Sequence, residues 1–416
     1  MNSISIKKFD IVSILIVSLL IIIGLVNIYS STYFDNMSFF SFKNPFGKQL
    51  IFTLISLIIF LFILVSDDRF FFRYSSIIYL LGIILLIAVL IFGNEVKGAK
   101  SWFSLMGFSL QPSEFMKPIT ALALAKYLSN IHSDLKRKSI QLYSFLIVLI
   151  PIFLVIIQPD PGTALIYFSF FFVLYVIGLP SIYMNIFICL TILFITTIVF
   201  GKENILYIIS TLIISILLIY IYRKLSFRKI LFYGILSLIF ILCVDFIFNE
   251  VFEQRHRDRF DIVLGIKEDN RGIGYNTNQS QLAFKSGGFF GEGFLKGTQT
   301  KGDFVPEQHS DYIFATVGEE WGFFGSILTI ILFTILILRM INRANTNRNI
   351  FNKIVIYSVA SIFFFQFAVN ISMVIGVFPT VGIPLPFISY GGSSLLASII
   401  LFGGYIKLDS VKKEKW

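Results

Sequence analysis

The stretch IVSILIVSLLIIIGLVNI, from Ile11 to Ile28, runs for eighteen residues without a charged side chain. A helix needs roughly 17 to 25 mainly apolar residues to cross the hydrocarbon core of a bilayer, so this run predicts a transmembrane helix. Lys7 and Lys8 precede it, as basic residues precede the apolar part of a signal peptide, but no small-residue cleavage site follows. We therefore expect a retained first helix.

The same apolar pattern recurs along the chain of 416 residues, which is 56% hydrophobic and only 14% charged. Soluble domains carry about 25% charged residues, so the composition predicts an all-α polytopic membrane protein. We expect about twelve transmembrane helices and a large polar loop at 250–311. The predicted helices lie at 11–29, 50–66, 75–92, 113–130, 142–157, 163–179, 185–200, 205–222, 230–249, 312–339, 354–376 and 390–407.

The net charge of +10 has a simple explanation in such a protein, because Lys and Arg collect in cytoplasmic loops. Nucleic-acid binding is therefore not expected. With both termini cytoplasmic, one face of the predicted topology receives Lys7, Lys8, Arg69, Arg73, Lys136, Arg137, Lys138, Arg223, Lys224, Arg228, Lys229, Arg339, Arg343, Arg348, Lys407, Lys412, Lys413 and Lys415. The loop 250–311 then falls outside. Only two cysteines are present, both in apolar runs, so neither a disulfide framework nor a cysteine metal cluster is expected.

The loop 250–311 is the largest polar segment and therefore the first place to expect chemistry. Its QRHRDRF stretch carries Arg255, Arg257 and Arg259, which suit a diphosphate or an anionic headgroup, or else form a solvated interfacial face. The loop ends at Asp311, where the chain returns to apolar sequence. A carboxylate at such a boundary can act as a general base, but an aspartate at a helix start can equally be an N-cap.

Three shorter outer segments also carry polar residues. In KGAKSWFSLMGFSLQPSEFMKP, residues 97–118, Glu114 and Lys117 lie three apart on one helical face, as a structural ion pair or as the lining of a polar cavity. In QPDPGT, residues 158–163, Asp160 either caps the next helix or contacts substrate. FPTVGIPLPFISYGGSS, residues 378–394, predicts an irregular segment that is buried in protein or lines a cavity.

Together these four segments resemble the SEDS family (shape, elongation, division and sporulation), most closely its rod-shape branch. The motifs GAKSWFSLMGFSLQPSEFMK, QPDPGT, GTQTKGDFVPEQHSDYIFATVGEE and GIPLPFISYGGSS match in order over nearly the whole chain. The resemblance implies a peptidoglycan glycosyltransferase in the bacterial cytoplasmic membrane. It also implies lipid II (the undecaprenyl-diphosphate disaccharide-pentapeptide) and the nascent glycan as substrates, and a class B penicillin-binding protein as partner.

Carried over residue by residue, the resemblance makes Asp311 the catalytic residue and matches Glu114 and Lys117 to the family's fourth helix. We expect Asp311 to be the base of a single inverting displacement. The candidate substrate contacts are Lys117, Glu114, Lys100, Arg255, Arg257, Arg259, His309, Glu307, Asp160 and Ser389. A divalent cation, Mg²⁺ or Mn²⁺, could share the diphosphate charge, although no cluster of ligands in the sequence demands one.

The sequence departs from the family pattern in two places. Ser101 stands before Trp102 where the family commonly has arginine, and Lys100 is the nearest cation. Members of the family usually have ten transmembrane helices. The additional residues 185–222 are therefore interpreted as an inserted helical hairpin, within a single membrane domain that spans 1–416. Three alternative functions remain open: a division-type polymerase of the same family, a lipid II flippase or other transporter, and a non-catalytic scaffold for a transpeptidase.

Overall fold

The computed structural model describes residues 9–33, 44–96, 98–105, 108–130, 135–200, 227–251, 254–267, 274–302 and 304–411. Within these ranges the chain is mainly helical. The predicted helix at 205–222, the turn before it and the terminal lysines of both ends lie outside the described residues.

The first part of the chain forms helices whose bounds follow its apolar runs, with a small sheet between the third and the fourth. They are α1 (Ile11–Thr32), α2 (Pro45–Val65), α3 (Asp68–Phe92), α4 (Pro112–Asn130), α5 (Lys138–Ile157), α6 (Pro161–Ile166), α7 (Ser169–Ile177) and α8 (Ser181–Phe200). The predicted helix 163–179 is thus two helical pieces, because a tight turn at Tyr167 and Phe168 separates α6 from α7.

The second part contains helices both in the polar loop 250–311 and in the membrane-spanning region. They are α9 (Phe227–Phe246), continued by a π-helical turn (Ile247–Val251), α10 (Gln254–Val263), α11 (Tyr275–Gly287), α12 (Thr298–Lys301), α13 (Ile313–Thr346), α14 (Ile350–Val374) and α15 (Gly392–Ser410). Of the described helices, seven are long and apolar enough to cross a membrane: α1, α2, α3, α5, α8, α13 and α14. The polytopic helical fold is confirmed, and the total of twelve helices stays a prediction.

A three-stranded antiparallel sheet follows α3, and the all-α expectation did not include it. Its strands are β1 (Asn94–Val96), β2 (Ala99–Leu105) and β3 (Phe108–Leu110), in the order β1-β2-β3. Gly98 has φ 84°, which permits the tight turn between β1 and β2. The Glu95 and Lys100 pair lies across the two strands. The sheet connects the end of α3 to the start of α4.

The chain divides into two compact units, residues 1–179 with 276–416, and residues 180–275. The larger unit contains α1 to α7 and α12 to α15 together with most of α11. Of the seven helices long and apolar enough to cross a membrane, α14 is the most buried, with 67% of its most apolar stretch buried. The smaller unit contains α8, α9 and α10, where the ring of Phe260 contacts Phe194 and Phe248. The inserted hairpin 185–222 stays a prediction, since half of it lies outside the described residues.

At one end of the larger unit, a buried charged cluster joins the start of α1 to the ends of α13 and α15. Asp10, the N-cap of α1, accepts hydrogen bonds of 2.8 Å from Arg339 Nε and 2.7 Å from the Tyr405 hydroxyl. Arg343 bridges Asp10 and Asp409 at 3.7 and 3.3 Å. Burial alone would raise the pKa of the Asp10 carboxyl, but the hydrogen bonds outweigh burial and hold that pKa below its usual value. We call these residues the basal cluster.

Candidate active site

Asp311 lies in an irregular turn before α13. The helix begins at Ile313 and its N-cap is Tyr312, so Asp311 is one residue before the cap. The N-cap position that spacing allowed for Asp311 is therefore wrong, because the helix begins later than the polar sequence suggested. Asp311 is half-buried. Its position depends on how its backbone is held.

Three consecutive carbonyls in this turn accept hydrogen bonds from the end of the helical bundle. The Tyr390 amide donates to His309 O at 2.8 Å, and the Ser389 hydroxyl donates to Ser310 O at 2.6 Å. The Asn370 amide group donates to Asp311 O at 2.9 Å. Buried backbone carbonyls outside regular structure must find such partners, so these three bonds fix the aspartate and the two residues before it.

The partner of this turn is the irregular segment 378–391, and Ser389 stabilises both. Besides donating to Ser310, the Ser389 hydroxyl accepts a 2.8 Å hydrogen bond from the Leu385 amide. Asn370 donates a second hydrogen bond, 2.7 Å, to Ile383 O. Gln49 of α2 donates to Ser389 O at 3.3 Å. The segment is thus irregular backbone buried in protein, as its prolines and glycines predicted.

Gly382 leaves the Asp311 carboxylate room. Its φ is 72°, and a Cβ built on it would lie 3.3 Å from Asp311 Oδ2. A side chain at Gly382 would therefore meet the carboxylate at tight contact distance while holding a conformation that only glycine adopts readily. The close approach places the candidate base against segment 378–391.

Glu307 and His309 belong to the same turn. Glu307 has φ 55°, an uncommon value for a residue other than glycine, and its carboxylate accepts a 3.0 Å hydrogen bond from the Ser310 hydroxyl. The His309 ring lies 5.4 Å from the ring of Tyr390. Burial raises the pKa of the Tyr390 phenol. Phe387, in the facing segment, also has a positive φ of 66°. Strained backbone of this kind tends to cluster at functional sites.

The QPDPGT turn packs on the other side of segment 378–391. Asp160 is the N-cap of α6, accepting from the Thr163 amide at 3.0 Å and the Thr163 hydroxyl at 2.8 Å. It also accepts a 2.7 Å hydrogen bond from the side chain of Gln111. A Cβ on Gly162 would lie 2.4 Å from Val381 O, so only glycine permits this approach. Asp160 therefore organises the site's edge as a cap.

Glu114 and Lys117 form an ion pair inside the first turns of α4. The Lys117 ammonium lies 2.7 Å from both carboxylate oxygens of Glu114. Lys117 is 1% exposed and Glu114 is 3% exposed. The Tyr167 hydroxyl is within electrostatic range of both Glu114 and Asp160. A buried, paired ammonium can reach a diphosphate only if the pair opens, so the structure favours the structural ion pair.

The other predicted cations lie on the small sheet or in the smaller unit. Lys100, on β2, is exposed and donates to Ile91 O at 3.1 Å. Arg257 and Arg259 lie on α10 in the smaller unit, where Arg257 donates to Asn249 O at 2.7 Å. The side chain of Arg255 is outside the described residues. The larger unit thus brings together Asp311, Glu307, His309 and Ser389, with Asp160 reached through the Gly162 and Val381 contact.

Sequence reasoning missed Gln111 and Asn370, which tie the four segments together. The Gln111 backbone amide donates to the Ser393 hydroxyl at 3.0 Å, and that hydroxyl donates to Ser109 O at 3.2 Å. The sequence did contain a signal for Asn370, because an amide side chain in an apolar spanning helix is costly and usually has a hydrogen-bond partner. Within the described ranges there is no cluster of three or more His, Cys, Asp or Glu side chains that could hold a metal. A divalent cation therefore has no assigned ligands here.

The chain is similar to known proteins over almost its whole length. The family model of the cell cycle proteins FtsW, RodA and SpoVE matches residues 10–207 and 208–414. Peptidoglycan glycosyltransferase RodA of Treponema pallidum is 30% identical over 431 residues, covering 97% of this chain and 98% of that protein. The probable peptidoglycan glycosyltransferase FtsW of Trichlorobacter lovleyi is 32% identical over 407 residues, covering 97% and 93%.

Among solved structures, a similar chain comes from a peptidoglycan synthase complex that coordinates polymerization and crosslinking. The two chains superpose with a TM-score of 0.71 at 23% identity, covering 98% of this chain and 99% of that one. At that identity the likeness concerns the fold.

Proposed function

The chain belongs to the cell cycle protein family of FtsW, RodA and SpoVE, and on that premise we propose that it is a peptidoglycan glycosyltransferase that polymerises lipid II. The observation that carries the proposal is the fixed position of Asp311. Its own carbonyl and the two before it are bound by Asn370, Ser389 and Tyr390. A general base must be held within hydrogen-bond reach of the proton it removes, and this turn can hold one.

In the proposed reaction, Asp311 removes the proton from the 4-hydroxyl of the acceptor's terminal GlcNAc. The O4 to C1 bond forms as the bond between C1 of the donor MurNAc and the diphosphate oxygen breaks. The undecaprenyl diphosphate leaves with the bonding electrons. One displacement inverts the α-linked donor to a β-linked glycan, which requires one base and no covalent nucleophile. General base catalysis contributes about 10²- to 10⁴-fold to a rate.

The leaving diphosphate requires positive charge. Lys100 is the exposed candidate in the larger unit, and Lys117 can contribute only if its bonds to Glu114 open. The cationic helix α10 carries the arginine candidates in the smaller unit. Glu307, His309 and Ser389 act through the turn that holds Asp311, and Asp160 acts as the cap that shapes the edge of the site.

We place the enzyme in the bacterial cytoplasmic membrane with both termini inside and Asp311 on the outer face. The basal cluster lies at the opposite end of α13 from Asp311, which agrees with basic residues collecting on the cytoplasmic side. We assign it to elongation rather than division on the VPEQHSDYIF motif. Its proposed partner is a class B penicillin-binding protein, and a similar fold occurs in a complex that couples polymerization with crosslinking.

The decisive experiment is polymerisation of purified lipid II by the full-length protein, with its partner transpeptidase present and separately absent. Asp311→Asn should lower glycan synthesis by at least about 10²-fold, because the amide cannot accept the proton. Glu292→Gln changes a charge on the same outer loop and should keep wild-type activity. Wild-type synthesis by Asp311→Asn would contradict the assignment. Lipid II flipping in vesicles without polymerisation would instead support the transporter.

A further inference from the structure

α13 is interrupted at Gly322, and the outer loop fills the interruption. Gly322 has φ 65° and ψ −159°, a backbone conformation that is not helical. The Glu292 and Gly293 amides donate to Glu319 O at 3.0 Å and Glu320 O at 3.1 Å. In the other direction, Gly288 O accepts from the Phe323 amide at 3.0 Å. The loop therefore supplies hydrogen bonds that a continuous helix would make within itself.

Glycines allow this contact because the two backbones approach closely. A Cβ on Gly291 would lie 2.1 Å from Glu320 O, and one on Gly287 would lie 2.1 Å from Gly318 O. Neither distance can be tolerated against backbone atoms. The segment 287–293 is therefore seated on α13 through its main chain, which makes it a rigid anchor for the loop that follows.

The carboxylate of Glu319 holds the next part of the loop. Glu319 is fully buried and accepts hydrogen bonds from the Gln299 amide at 2.6 Å and the Thr300 amide at 2.9 Å. Both amides belong to the first turn of α12, where helical backbone donors have no partner within the helix. Charged acceptors make the stronger hydrogen bonds of proteins, so this contact is a firm one.

Glu319 thereby closes a loop that contains the candidate base. The contact joins Thr300 to Glu319, which lies two turns into α13, and Asp311 lies in the chain between them. On its far side the same loop is held by Asn370, Ser389 and Tyr390. We propose that Glu319 is a positioning residue, which fixes the near end of this loop so that Asp311 stands at the reacting hydroxyl.

This inference rests on the proposed function, since it assigns Glu319 a part in the same reaction. Glu319 acts through the loop and touches no substrate. Loosening the loop should displace the base, and a displacement of about 1 Å can cost roughly 10²-fold in rate. The effect belongs to the chemical step, so kcat should fall while KM for lipid II stays unchanged.

Two variants break the contact from opposite sides. In Glu319→Gln the side-chain oxygen can accept from only one of the two backbone amides, and the NH2 group faces the other amide, which also donates. In Gly297→Ala the new methyl would lie 2.8 Å from Glu319 Oε2 and 2.4 Å from the Thr300 hydroxyl, so it pushes the loop away while the carboxylate remains. Glu320→Gln is the matched control, because the adjacent buried carboxylate accepts from Ser30 of α1 and from the Leu295 backbone amide before α12, and so leaves the α12 amides bound to Glu319.

The test combines lipid II kinetics with hydrogen–deuterium exchange of the full-length protein. We expect both variants to lower kcat by roughly 10²-fold with KM unchanged, and to lose exchange protection between residues 298 and 311. Glu320→Gln should change neither. Wild-type kcat or retained protection in Glu319→Gln overturns the inference, as does an equal loss of kcat in the control. If Glu319→Gln does not fold, Gly297→Ala decides alone.

These readouts also separate the inference from the proposed function. Exchange protection of residues 298–311 reports the loop contact without any turnover. A wild-type protein that binds its partner but never polymerises lipid II contradicts the proposed function, whatever the exchange data show. A wild-type protein that polymerises lipid II, with variants that keep its kcat, contradicts only the role of Glu319.

Discussion

Asn370 should control activity from within the helical bundle, although the proposed chemistry takes place at Asp311. The Asn370 side chain is fully buried on α14, and its amide group donates both to Asp311 O and to Ile383 O. Asn370→Leu keeps the number and branching of the side-chain heavy atoms and removes both hydrogen bonds. The turn that carries the base and the segment that faces it then lose their shared partner.

The size of the effect follows from the two bonds. A typical protein hydrogen bond contributes a net 0.5 to 1.5 kcal/mol, so losing two from one side chain costs about 2 kcal/mol. Losing that free energy lowers the ratio of turns with Asp311 correctly held to turns with Asp311 displaced by roughly 30-fold. We expect lipid II polymerisation to fall by up to that factor, measured as initial rate on purified substrate, with little change in far-ultraviolet circular dichroism.

Gln366 provides the matched comparison one turn away on the same helix. It is also buried, but its amide nitrogen and oxygen have no hydrogen-bond partner among the described residues. Gln366→Met should therefore cost no bond to the Asp311 turn and should keep near-wild-type activity. The reasoning is refuted if Asn370→Leu polymerises lipid II at the wild-type rate, or if Gln366→Met loses as much activity.

Two further predictions concern stability. Glu114→Gln should destabilise the protein by about 3 to 5 kcal/mol, because it leaves the Lys117 ammonium buried without its counter-charge. The double variant Glu114→Leu with Lys117→Met should recover most of this loss, measured by thermal unfolding. A double variant as unstable as the single one would contradict this. The lowered pKa of Asp10 means that its contribution is present above its ordinary pKa of 3.8 and is lost as the pH falls below that value. The melting temperature of the wild type should therefore drop more steeply below about pH 4 than that of Asp10→Asn, and parallel curves would contradict the assignment.

The long apolar runs were enough to predict most of the helices, because membrane-spanning length is set by the bilayer and not by tertiary contacts. Sequence also gave the pairing of Glu114 with Lys117, since an i,i+3 spacing is local. The sheet at 94–110 was missed because its strands are only three to seven residues long, and strands that short give no clear alternation of apolar and polar residues. The helices of the outer loop were missed for a related reason: in α11 and α12, polar sequence is held helical by contacts with α13.

The position of Asp311 could not be obtained from local spacing for the same physical reason. Spacing identified a carboxylate near a helix start and could not tell a cap from a base, because both occur within one or two residues of that boundary. What places it is non-local: carbonyls 309 to 311 find donors on residues 370, 389 and 390. Asn370 and Glu319 are each buried on a mainly apolar spanning helix, where an uncompensated polar group is costly.

The two fixed ends of the Asp311 loop explain why an irregular turn can hold a base in place. A turn with three consecutive carbonyls outside regular structure would be unstable alone, since each requires a donor that local structure does not supply. The bundle supplies those donors from α14 and from segment 378–391, both anchored by long packed helices. On the near side, Glu319 and the interruption at Gly322 tie the same loop to α13. A loop held on both sides by rigid helices can keep a catalytic group in register while its outer surface stays open to a large lipid-linked substrate.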